Sequence, residues 1–264
     1  MSTNNFTLPN GPLKWISSPL DKTGDYNLGI YTDDTTQRFV YGTRFITWDV
    51  RVYKYCNAVA QVYSYWGAHA YESAAVSWTA LPSANNAGEL KQVITLGSRT
   101  TNDLAGGYLM IEDNSATTTT YLFGIVGNND TATVTTVYID SPLPVTTTTS
   151  DHCEVFENPY RETKAHGTGI CPVICVPANS AAAGHKYWGQ TYGPAYISPT
   201  NSTIDDPVAG EMMTYFSYEG TTGGLVEYAI TSKVEAQPAG FILNCDTASG
   251  GGIAGPLIML QISI

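Results

Sequence analysis

Residues 186–198 read KYWGQTYGPAYIS, and this run limits the fold more than any other. Trp188, Tyr192 and Tyr196 recur every four residues. That spacing suits one face of a helix and equally one face of a strand. Gly189, Gly193 and Pro194 decide between the two, because glycines and a proline make a short helix costly. The run is predicted to be an aromatic-faced strand, a turn or bulge at Gly193-Pro194, and a second short strand. Composition extends the argument to the whole chain. Charged residues make up 13%, about half the usual share. Thr, Gly, Ser, Asn and Tyr fill the gap, and these are strand and turn residues.

The expected fold is mainly β, with two β-rich barrel- or sandwich-like units and an extended N-terminal arm. Residues 1–44 carry Pro9, Pro12, Pro19 and several glycines, and are assigned to the arm. Trp15, Ile16, Tyr26, Ile30 and Tyr31 lie on it and are the suspected interface residues. They either cover their own domain or reach a neighbouring subunit. Residues 45–140 form the first β-rich domain. Its clearest strand is 44–56, RFITWDVRVYKYC, where Ile46, Trp48, Val50 and Val52 share a face by alternation. Short apolar runs at 93–96, 108–111, 119–126 and 134–139 alternate with turn-rich segments. Residues 141–150, SPLPVTTTTS, read as a linker or long crossing strand and mark the domain boundary. Residues 151–264 form a C-terminal barrel-like domain that closes on LIMLQISI.

Charge and chemistry narrow the function. With 12 basic against 23 acidic residues, the net charge is -11. No nucleic-acid partner and no anionic membrane surface is expected from that balance. The N-terminus lacks the pattern of a secretory signal, and no run is long enough to span a bilayer. The five cysteines, Cys56, Cys153, Cys171, Cys175 and Cys245, fit a reducing compartment better than a disulfide scaffold. His166, Cys171 and Cys175 could hold zinc, with His152 and Cys153 upstream. Their spacing is looser than that of structural zinc sites, so no metal and no cofactor is expected. Asp33-Asp34 and Asp205-Asp206 suit turn capping better than catalysis or calcium binding. No nucleophile elbow is present, and the four histidines form no catalytic pattern. The chain is read as non-enzymatic. Exposed Trp and Tyr could instead stack on sugars, which keeps a carbohydrate-binding adhesion module as an alternative.

Four segments carry a family resemblance: DDTTQRFVYGTRF (33–45), DLAGGYLMIEDNSATTTTYLFGIVGNND (103–130), HKYWGQTYGPAYI (185–197), and EAQPAGFIL (235–243) with LIMLQISI. Together they resemble capsid decoration, or cement, proteins of tailed bacteriophages, especially aquatic ones. The resemblance implies a virion structural protein on the outer capsid surface, made in the host cytoplasm. It implies the major capsid protein as partner and self-association as a homotrimer at capsomer contacts. A head-fibre base or minor shell protein is the alternative within the same particle. The same resemblance makes Tyr108, Tyr121, Trp188 and Gly193 structural. Tyr192 belongs with them on the aromatic strand. The Thr-rich connector and Cys153, Cys171 and Cys175 depart from the family pattern.

Overall fold

The computed structural model describes residues 29–70, 76–97, 99–114, 119–129, 133–165, 172–198, 213–216, 226–227, 237–244 and 257–262. Among these residues there are sixteen strands and no helix. The strands form two curled antiparallel sheets, each a half-barrel. The mainly β fold with two β units is as the composition implied.

The smaller sheet has the order β4-β9-β6-β7-β8-β5. Its strands are β4 (Val76–Ala80), β5 (Lys91–Thr95), β6 (Tyr108–Asp113), β7 (Thr119–Asn128), β8 (Val134–Ile139) and β9 (His152–Phe156). Strict alternation sends Leu109, Ile111, Phe123, Ile125, Val137, Ile139, Cys153 and Val155 to one face. Leu81, Leu96, Leu104 and Leu143 close that face into a core.

The larger sheet contains β1 (Arg44–Ile46), β2 (Val52–Asn57), β3 (Ala68–Ala70), β10 (Thr163–Lys164), β11 (Val173–Pro177), β12 (Lys186–Tyr196), β13 (Met213–Phe216), β14 (Val226–Glu227), β15 (Pro238–Asn244) and β16 (Leu257–Gln261). Its order is β10-β3-β11-β12-β16-β15-β13-β14, with β2 on the other edge of β12 and β1 outside it. The sheets therefore part elsewhere than at 141–150. Residues 44–70 pair with the C-terminal strands, and β9 pairs with β6. The smaller sheet is an insertion between β3 and β10. Those two strands pair directly, Thr163 with Ala70 and Lys164 with His69. The Thr-rich connector is packed on the smaller sheet. Leu143 and Thr147 are buried, and the Thr147 hydroxyl lies 3.0 Å from Gln92 Oε1.

Strand β12 runs unbroken through Gly193-Pro194, contrary to the expected turn. The irregularity falls at Gln190/Tyr192, where β2 leaves its edge while β16 pairs with Tyr192–Tyr196 on the other. The Gln190 amide donates to the carbonyls of Tyr192 and Pro194, 3.1 and 2.8 Å away. This satisfies main-chain acceptors on the vacated edge, where Pro194 has no N–H to leave unpaired. Gly193 adopts φ +95, and an added Cβ would lie 3.1 Å from Arg51 Cα. Both constraints make any side chain there strained.

The two faces of β12 bury different clusters. Trp188 packs with Ile30, Phe45, Tyr53 and Tyr55. Tyr187 packs opposite, with Cys56, Ala58 and Cys175. The run 44–56 is a hairpin, not the single strand expected, because residues 47–51 form a hydrogen-bonded turn. Val50 and Trp48 therefore leave the face that Ile46 and Val52 were expected to share with them.

Two outcomes test this packing. Trp188→Ala is expected to cost about 3–5 kcal/mol in urea unfolding, the usual loss for a buried tryptophan. Burial pushes the Tyr53 and Tyr55 hydroxyls up to about 12. A phenol that stays neutral in the folded state favours folding fully below its unfolded value near 10. That contribution falls as pH rises toward 12. Absorbance at 295 nm should show these tyrosines ionising together with alkaline unfolding, after the exposed tyrosines. Their ionisation near pH 10 in folded protein would contradict the burial.

Candidate interaction surface

The outer face of the smaller sheet carries the residues that alternate with its core. Across three strands, Phe156 pairs with Tyr108, and Tyr108 with Gly124. In the next row Glu154 pairs with Met110, and Met110 with Leu122. In the third, His152 pairs with Glu112, and Glu112 with Thr120. Tyr108, Leu122, Phe156, Trp78 and Tyr138 are all exposed, Leu122 to 64%. Trp78 stacks on His152 with ring centroids 5.2 Å apart and planes within 11°. Tyr138 lies opposite Lys91 on β5. Gly124 makes room for the Asp140 side chain, whose carboxylate a Cβ there would meet at 2.6 Å. The inner face already has its core, and the outer face leaves these large apolar side chains exposed among Glu112, Glu154 and His152.

A second exposed feature is the β1–β2 hairpin. Trp48 at its tip is 93% exposed, and Val50 and Tyr31 are exposed as well. The Thr47 hydroxyl and then Arg51 hold the Asp49 carboxyl below the usual carboxylate range.

The suspected arm residues divide. Trp15, Ile16 and Tyr26 lie outside the described residues. Ile30 is buried against Phe45, Tyr53, Tyr55 and Trp188, so it covers its own domain. Tyr31 is exposed, with its hydroxyl 3.4 Å from Arg51 Nη1. The segment after Gly29 is tied to its own sheet. Asp33 pairs with His185 Nδ1 at 2.6 Å, and Asp34 bridges to Lys186 through the backbone. Asp34 also accepts from the Thr36 N–H and from Arg38, the turn capping expected of it. Asp205-Asp206 lies outside the described residues.

Of the residues read as structural, Trp188 is buried and Tyr192 half-buried. Tyr121 packs partly against the smaller core, while Tyr108 stands exposed on the outer face. The candidate zinc set is not assembled among the described residues. His166 and Cys171 lie outside them, and His152 and Cys153 sit in the other sheet from Cys175. Cys175 lies instead 3.7 Å from Cys56, sulfur to sulfur. Burial raises the Cys56 and Tyr187 side chains well above their ordinary values, which keeps both protonated and inert. Cys56, Cys153 and Cys175 are free thiols.

Sequence reasoning missed Trp48, Trp78, Leu122, Tyr138 and Phe156 as surface residues. Strand alternation at 119–126 assigns Leu122 and Phe123 to opposite faces, but does not say which face is buried. Residues 151–168 are polar and show no clear strand period, so the sequence around Phe156 gives no signal of β9. No protein-family model matches the chain, and no curated protein matches it in sequence.

The assignment of faces has a direct check. Leu109→Ala is expected to cost about 2–5 kcal/mol, as for a buried leucine. Leu122→Ala should stay within about 0.5 kcal/mol of wild type, as for an exposed position. Equal losses by chemical denaturation would overturn the assignment.

Proposed function

We propose that this chain is a non-enzymatic structural protein of a bacteriophage particle. In this reading it decorates the outer capsid surface and braces contacts between capsomers, with the major capsid protein as its partner. The exposed apolar face of the inserted sheet is the observation that carries the reading. A cement protein needs a broad, weakly charged face that is rigid before it docks, and a sheet backed by its own core supplies one. The family resemblance of the segments 33–45, 103–130 and 185–197 points the same way. Segment 103–130 includes β6 and β7, which carry Tyr108, Met110 and Leu122 on that face. Self-association as a homotrimer belongs to the same proposal. Three linked copies on a symmetric site multiply a weak single contact.

A second reading rests on Trp78. Its stack on His152, beside Glu112 and Glu154 on the same face, offers an aromatic platform with carboxylate acceptors for sugar hydroxyls. This is the arrangement an adhesion module would use.

Quantitative labelling of purified particles separates the two. Hundreds of copies spread over the head are expected for decoration. A few copies at the tail, with retention on immobilised host glycans, would overturn it in favour of adhesion. Leu122→Glu should lower binding to heads stripped of this protein by at least about tenfold, since it places a charge in an apolar contact.

A further inference from the structure

We draw no further inference here: the strongest candidate, the buried thiol pair of Cys56 on β2 and Cys175 on β11 beside Gly189 of β12, carries none, because the two strands flank β12 on opposite edges, too far apart for a disulfide without backbone movement, and no third ligand that could complete a metal site joins the pair among the described residues.

Discussion

The packing of Trp188 holds the larger sheet together. Its ring lies 5.2 Å from Tyr55, 5.5 Å from Phe39 and 5.8 Å from Phe45, centroid to centroid. These contacts clamp Ile30 and Phe39 over the face that Trp188 shares with Phe45, Tyr53 and Tyr55 of the adjoining β1 and β2. The neighbouring Tyr187 turns to the other face, where its hydroxyl meets Thr163 at 2.8 Å. Gly189 is the condition for both. A Cβ at Gly189 would collide with Cys175, and the Cys56 sulfur lies just beyond. Three consecutive residues thus fix what lies above the sheet, what lies below it, and how closely the two thiol-bearing strands approach across it.

That arrangement explains how a second sheet can be inserted without loosening the first. The chain leaves the larger sheet after β3 and returns at β10, and the two strands pair. The ends of the insertion are therefore held together by the sheet they interrupt. Polar contacts stiffen the neck. Asn158 donates to the carbonyls of Tyr41 and Ala105, one associated with each sheet. Arg161 reaches Asp103 and Glu157, and Glu157 also pairs with Arg99. Glu157 and Arg161 are largely shielded, so the network is screened less than surface ion pairs would be. The outer face of the smaller sheet is thus presented from a bonded base.

The sequence made the strand content legible because strands were marked by alternation and bounded by Gly, Asn and Pro. It made β12 legible as a strand, but placed a break at Gly193-Pro194 that the structure does not have. Gly193 follows from the approach of Arg51, and Pro194 from the edge that β2 leaves open. Both are tertiary causes, invisible in a local reading. The hairpin at 47–51 was hidden for a related reason. Thr47, Trp48, Asp49, Val50 and Arg51 continue a good strand alternation, and only the Thr47–Asp49–Arg51 bonding folds them into a turn. The inserted topology was also illegible. Linker-like composition at 141–150 reflects a connector packed on buried Thr147, whereas the real crossing points pair across almost a hundred residues. Aromatic spacing shows which residues share a face, but burial of that face depends on what else folds over it.

Trp188 and Trp48 show that difference within one residue type. Each sits in an aromatic, alternating segment, yet one is buried and the other is 93% exposed. Burial of Trp188 supplies stability; exposure of Trp48 withholds it from the fold. The outer face of the smaller sheet does the same on a wider scale. Exposed apolar surface would draw copies together indiscriminately if nothing opposed it. The net charge of -11 does oppose it, because like charge acts at a distance set by the ionic atmosphere, about 8 Å in physiological salt. Apolar contact acts only where surfaces touch. A surface whose shape brings the whole face into contact would gain the short-range attraction, while a misaligned copy would meet chiefly the repulsion. Any contact made through that face is therefore decided by fit, because the attraction is short in range and the repulsion longer.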